Sequence, residues 1–495
     1  MNTSRRWGRN LESEWARRLP WLVGCDLETE WKQASDEGRR LTPALERQFS
    51  RLREEAAAFI AQGGDLGVPV SPEWLKKAHG ILDAVQSAPL RAGYLYEEPS
   101  GLDAIRAARP RARRVHVPAW EGDRRSLERH IHGAWLGRIA GCMLGKPVEG
   151  WRRAAIEAIA RAAGDWPLSG YFRMPSPAAR RRLEVQGGNV FDAARHKGVL
   201  LDTMCGAVED DDTNYTVIGF DLVRRRGPDF TSLDVAEYWL GNIPILRTCT
   251  AERVAYAHLA DGVPPPRSAA FRNPYREWIG AQIRADYFGY AQPGQPARAA
   301  EWAWRDAAIS HVKNGIYGEM WVAAMLAAAF VLHDWPAVIR AGLDQIPARC
   351  RLREAVEEML RLHASNASYE EAIAVIHGRW NEADRHHWCH TISNAQIVAV
   401  GLLYGEDDFG KTITRAVMPG FDTDCNGATC GSLWGARHGV EAIPSAWSAP
   451  LNDRLRTGVA GFHEVSISEL AAQMTATAIE GGLPLRPRRR GKRRL

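Results

Sequence analysis

The sequence predicts an all-α protein, and three observations carry that prediction. Apolar residues recur at helical spacing through most of the 495 residues, no segment keeps up a period-two alternation, and no Gly-rich loop joins a strand to a helix. The last point also excludes the Rossmann and P-loop nucleotide binders. With 45% hydrophobic and 25% charged residues the composition is that of a globular chain able to bury a large core. The absence of a long uninterrupted apolar run and the charged first residues predict a soluble, unexported, cytoplasmic protein that does not engage a membrane. Eight cysteines without a Cys-x-x-Cys pair predict reduced thiols, with no bridge between Cys425 and Cys430.

Three segments follow from the patterning. Residues 1–125 read as a helical N-terminal extension: Leu41 to Gln62 has helical spacing, Gly63-Gly64-Asp65 stops it, and Ser71-Pro72 opens the next helix. Glu97 to Ile105 reads as an ordered structural loop, and Arg106 to Arg114, broken by Pro110, as an exposed connector. Residues 126–484 read as the main helical domain, which holds the acidic loops considered below. Residues 485–495 form a basic tail holding seven positive side chains, so the formal charge of +5 leaves the rest of the chain at about −2. Such a tail is expected to be disordered and is the one place suited to a polyanion such as nucleic acid.

Within the second segment, glycines at 133, 137, 141 and 145 fall every fourth residue and leave one helix face bare, which suits close approach of another backbone. That helix is expected to end at Gly145-Lys146-Pro147, with Glu149 projecting from the next turn. A short helix (Ala154 to Ala163) and a Pro-, Ser- and Arg-rich loop (Pro167 to Arg182) lead to Glu209-Asp210-Asp211-Asp212-Thr213, at the head of an apolar helical run. Adjacent carboxylates repel by about 1 kcal/mol per close pair even in water, so a cation is expected there. Further helices are expected near Val235 to Leu240, at Thr250 to Leu259 with a capping Thr-Ala-Glu start, and at Met320 to Leu332 after an Asn314-Gly315 turn. Amides at the start of that last helix suit a phosphate. Ala355 to His363, Tyr369 to His377, His390 to Leu403 and Leu470 to Ile479 complete the helical series.

Between the last two of these lies Gly420-Phe421-Asp422-Thr423-Asp424-Cys425, where two more carboxylates alternate ahead of the small-residue run Ala428 to Ala436. Two acidic loops far apart in sequence are a usual source of oxygen ligands for Mg²⁺ or Ca²⁺. A bias of acidic residues toward helix N-termini explains one carboxylate, not a run and a second pair.

Taken together, Gly-Ala-Trp-Leu-Gly…Gly-Cys-Met-Leu-Gly-Lys-Pro-Val-Glu (133 to 149), Asp-Asp-Asp-Thr (210 to 213) and Gly-Phe-Asp-Thr-Asp-Cys (420 to 425) resemble the ADP-ribosylglycohydrolase family. The resemblance covers roughly residues 127 to 445. It implies an orthogonal helical bundle with a binuclear Mg²⁺ site, Mn²⁺ being the alternative, held by Asp210, Asp211, Asp212, Asp422 and Asp424. It further implies a base at Glu149, with Asp212 and Asp422 sharing the chemistry, and a substrate pocket at Asn314, Gly315 and, less securely, His390 or His311. Asp210 and Cys425 stand where hydroxyl residues are usual, and Cys142 where an aspartate is common. The implied activity is hydrolysis of the bond joining ADP-ribose to a protein side chain or a small molecule. The same constellation suits an N-glycosidase acting on a nucleoside or nucleotide, and a third reading is an ADP-ribose-binding protein without turnover.

Overall fold

The computed structural model describes residues 26–64, 70–112 and 114–483; the basic tail lies outside the described residues. The chain is all-α as the patterning predicts. Among the described residues the one sheet is a two-stranded antiparallel hairpin, Arg454–Arg456 with Glu464–Ser466, too short to show a period in sequence. No described helix is long and apolar enough to cross a membrane, and the seven described cysteines are all free thiols.

The centre is a pair of antiparallel helices, Arg124–Gly145 and Thr423–His438. The glycine stripe of the first meets a second stripe, Gly427, Gly431 and Gly435, at the same four-residue interval. Gly133 faces Gly435, Gly137 faces Gly431, Gly141 faces Gly427, and Gly145 faces the Thr423 backbone. A Cβ on Gly133 would stand 2.6 Å from the Gly435 carbonyl oxygen. Each glycine costs a helix about 1 kcal/mol relative to alanine. The pair accepts that cost because backbone-to-backbone contact leaves no room for a methyl. The Thr423 hydroxyl then donates to the Gly145 carbonyl at 2.9 Å, tying the end of one helix to the start of the other.

Around this pair run the helices Asp211–Arg226, Lys313–Ala329, Thr391–Tyr404, Phe409–Val417 and Ile467–Glu480. One continuous apolar core joins them, with Trp135, Trp239, Trp278, Trp302 and Trp321 almost fully buried. The helix Lys313–Ala329 begins earlier than its apolar run suggests, so Asn314-Gly315 is its first turn and not a turn between helices. The helix Thr250–Ala260 begins without a side-chain cap, and Thr250 itself sits at φ +35°.

Among the described residues of the extension, the helices Leu27–Asp36, Pro43–Ala61 and Pro72–Gln86 pack about a small separate core that includes Phe49, Leu52, Trp74 and Leu82, whereas Leu102–Ala108 joins the main core through Ile105. Thr42 and Ser71 cap the second and third by accepting from Leu45 N and Trp74 N. Ion pairs fasten it to the main body. Arg276 donates to Glu30 at 2.6 Å and to Glu37 at 2.7 Å, with all three side chains buried, and Lys313 reaches Glu37 at 2.9 Å.

Candidate active site

The glycine contacts bring the two acidic loops together. Asp424 lies in the first turn of one central helix, and Lys146 follows the last residue of the other. Lys146 Nζ lies 2.5 Å from Asp210 Oδ2, 2.8 Å from Glu149 Oε2 and 3.4 Å from Asp424 Oδ2, so one ammonium bridges all three stretches singled out in the sequence. The cation expected beside the acidic run is thus in part supplied by the chain.

Local structure fixes each carboxylate. Asp210 is the N-cap of the helix Asp211–Arg226 and accepts from Asp212 N at 2.9 Å. Asp212 points into the interior toward Arg138 of the glycine helix. The fully buried guanidinium donates to Asp212 Oδ1 at 2.9 Å and to the Asp212 carbonyl at 2.8 Å, and pairs with Asp286 at 2.8 Å. Asp422 N donates to Asn394 Oδ1 at 3.1 Å, and the same oxygen accepts from Asn426 Nδ2 at 2.8 Å. Phe421, before it, is held at φ +59°, a strained conformation for a bulky residue, by Trp388 Nε1 donating to its carbonyl at 2.7 Å.

The electrostatics are those of a cluster short of positive charge. Burial, then the charges of Asp210 and Glu149, push Asp211 up to about 8 despite Lys146. Burial and Glu149 push Asp422 up to about 6. Asp212 and Asp424 are held well above the carboxylate range, chiefly by burial and neighbouring carboxylates. Asp210 alone is shifted down, because Lys146 outweighs the cost of its burial.

The donor set fits a divalent cation. Asp212 Oδ2 and Asp424 Oδ1 are buried carboxylate oxygens without a hydrogen-bond partner. Buried oxygens of this kind are costly unless paired or bound to a metal. Two groups of potential ligand atoms share Asp212: Cys142, Asp210 and Asp212, and Asp212, Asp424 and Cys425, each within 4.8 Å. A further trio, Asp36, His386 and His390, has the same spacing but not the right lone pairs. His386 Nδ1 accepts from Trp278 Nε1 at 3.0 Å and His390 Nδ1 accepts from Ile392 N at 3.1 Å. Both rings therefore carry hydrogen on Nε2, the atom facing Asp36 or Glu277, where a ligand would need a lone pair.

Lys146 and Glu149 form the wall between two lobes of one cleft. One lobe, of about 360 Å³, holds Asp210, Asp211, Arg247, Cys249 and Arg253. The other, of about 610 Å³, holds Trp151, Asn189, Arg195, His196 and Lys197. Glu149 is 40% exposed at their junction. Asn314, Gly315 and His390 line neither lobe. The Asn314 amide N donates to Glu277 Oε1 at 3.0 Å and its side chain to Glu277 and Glu98, so an internal carboxylate takes the place expected for phosphate at that helix start. His390 caps Thr391–Tyr404, stacks on Trp380 and is pushed down to about 3 by burial. His311 is equally enclosed and shifted well down by burial. Sequence reasoning missed Lys146, Arg138 and Asn394 as partners of the aspartates. Only Lys146 left a signal, being the one cation inside the Gly145-to-Glu149 turn.

An all-helical body whose remote acidic loops meet at the end of a glycine-packed helix pair defines a class of α-helical enzyme built unlike the α/β nucleotide binders. The family model described as ADP-ribosylglycohydrolase matches residues 123–478, and the chain belongs to that family of glycosidase-type hydrolases. A solved structure described as an ADP-ribosylglycohydrolase-related protein complex aligns at 18% identity, with a TM-score of 0.39, over 72% of this chain and 99% of its own. A search of curated proteins gives no match.

Proposed function

We propose that this protein is a metal-dependent hydrolase that releases ADP-ribose from a protein side chain or a small ADP-ribosylated molecule. The observation that carries the reading is the convergence of Asp210–Asp212 and Asp422–Asp424 with two buried oxygens, Asp212 Oδ2 and Asp424 Oδ1, left unpartnered. A divalent ion, Mg²⁺ or Mn²⁺, bound there would hold ribose hydroxyls and lower the pKa of the attacking water. Breaking the glycosidic bond develops positive charge on the ribose ring, and the surrounding carboxylates stabilise it. Glu149, at the junction of the lobes and held by Lys146, would take the proton from water as its oxygen bonds to the anomeric carbon, and the leaving nitrogen or oxygen would depart with the bonding pair and take its proton from solvent water.

The larger lobe suits the rest of the substrate. Arg195 and Lys197 make no ion pair among the described residues, and Trp151, stacked on Phe191 with ring centroids 5.2 Å apart, offers an aromatic surface. Two cations beside an indole match a diphosphate carrying a base better than they match an uncharged nucleoside. Turnover of ADP-ribosyl-arginine, ADP-ribosyl-serine and free nucleosides, with and without Mg²⁺ or Mn²⁺, tests the reading. Metal-stimulated release of ADP-ribose is expected. Cleavage of nucleosides alone, or tight ADP-ribose binding with no turnover of any substrate, would replace it.

A further inference from the structure

We propose that Lys146 itself fills one cation position of the aspartate cluster, so that the chain holds a single divalent ion, seated on Asp212, Asp424 and Cys425. The inference rests on the metal-dependent reading above and departs from the binuclear arrangement that the resemblance implies.

The potential ligands fall into two trios that share Asp212, and the trios differ in what they face. In the first, Asp210 Oδ2 is paired with Lys146 Nζ at 2.5 Å, and the same ammonium reaches across to Asp424 Oδ2 at 3.4 Å. In the second, the counter-charges run out. Asp212 gives Oδ1 to Arg138 and Asp424 gives Oδ2 to Lys146, while Asp212 Oδ2 and Asp424 Oδ1 have no partner. Asp212 is 0% and Asp424 2% exposed, so water does not serve these two oxygens from outside.

The backbone of Lys146 is fixed: its Cα follows Gly145, which is pressed against the Thr423 backbone and bound to the Thr423 hydroxyl, and its ammonium is held at the cluster by three carboxylates at once. A divalent ion at the first trio would have to share Asp210 with an ammonium already within reach of three carboxylates. An ion at the second trio leaves the Asp210–Lys146 pair in place and has the unpartnered oxygens of Asp212 and Asp424 to draw on. Cys425 is the third donor there, and sulfur is a poorer ligand for Mg²⁺ than for the larger first-row ion Mn²⁺.

The test counts ions on the full-length, metal-stripped protein titrated with MnCl₂, by calorimetry and by electron paramagnetic resonance. One equivalent, with no spin-coupled pair, is expected for the wild type, and a second equivalent for Lys146→Met and Lys146→Gln. Circular dichroism checks that both variants are folded. A parallel measurement needs no variant: acetylation of Lys146, read by mass spectrometry, is expected to be unchanged at saturating Mn²⁺. Two equivalents in the wild type, no gain in either folded variant, or a rise in Lys146 acetylation on adding Mn²⁺ each overturns the proposal while leaving a metal enzyme. No Mn²⁺ or Mg²⁺ binding to any form overturns the metal-dependent reading as well.

Discussion

Gly141 and Gly427 face each other across the central helix pair so closely that a Cβ on Gly427 would stand 2.5 Å from the Gly141 carbonyl oxygen. The same helix that carries Gly427 carries Asp424, and the one that carries Gly141 ends at Gly145, just before Lys146, so this contact sets the spacing of the charges in the candidate site. Gly427→Ala or Gly141→Ala forces the backbones apart and is expected to cost at least about 2 kcal/mol. Gly80→Ala, in the helix Pro72–Gln86 where a Cβ meets nothing, is expected to gain about 0.5–1 kcal/mol. Urea unfolding of the three variants checks both signs. Equal effects at Gly80 and Gly427 would refute the packing argument.

Asp424→Asn removes one buried carboxylate from a cluster short of cations. Two opposite changes are expected: loss of divalent-ion affinity by at least about tenfold, and a metal-free protein no less stable than wild type, because like-charge repulsion falls. Titration calorimetry and thermal melts without metal read the two separately. Undiminished affinity would remove Asp424 from the ligand set.

The pH dependence of the metal-free protein has a definite sign. Asp211 and Asp422 are raised in the folded state, to about 8 and about 6, so the native protein binds protons that the unfolded chain has lost above about 4. Their contribution is present below the unfolded value and is lost as pH rises through 6 to 8; Asp210, shifted down by Lys146, opposes this only at acid pH. The melting temperature of chelator-treated protein should therefore fall between about pH 7 and 8, above the range in which His311 and His390, pushed down by burial, act with the opposite sign, and Mn²⁺ should restore it with release of protons. A flat profile would show that the cluster is already neutralised.

These charges explain what was legible in the sequence and what was not. The glycine interval at 133, 137, 141 and 145 announced a close-packed helix because no other residue tolerates that contact, and the two acidic loops announced a common cation because isolated aspartates in such number repel. The matching interval at 427, 431 and 435 was visible but lay inside a run that read only as small residues. Asn314-Gly315 misled because its local chemistry is that of a turn, whereas Glu277, distant in sequence, supplies the anion that lets a helix begin there. Arg138, on a helix face otherwise buried, gave no local sign of its partner Asp212, since buried ion pairs are set by tertiary contacts.

Glu149→Gln keeps the size of the side chain and its hydrogen bond to Lys146 but removes the carboxylate proposed as the base. Turnover should fall by about 10² to 10⁴ with divalent-ion affinity and ADP-ribose binding within a few-fold of wild type. A loss of binding equal to the loss of turnover would instead make Glu149 a ligand or a substrate contact.

Glu37 anchors the extension to the body. It faces Arg276 at 2.7 Å and Lys313 at 2.9 Å from a site only 1% exposed, and those cations hold it well below the carboxylate range against the cost of its burial. Glu37→Ala leaves Arg276 with Glu30 and takes from Lys313 its one ion pair among the described residues, and removing one member of a buried pair typically costs about 3–5 kcal/mol. Because the extension has its own core around Phe49 and Trp74, the loss should appear first at the joint. Hydrogen exchange is expected to rise in Leu27–Asp36 and at the start of Lys313–Ala329, and to stay unchanged along Arg124–Gly145 and Thr423–His438. Uniform loss of protection in all four helices would show that extension and body unfold as one unit. Glu37→Gln, which keeps the shape but not the charge, should fall between wild type and Glu37→Ala if the ion pairs, and not side-chain packing, hold the joint.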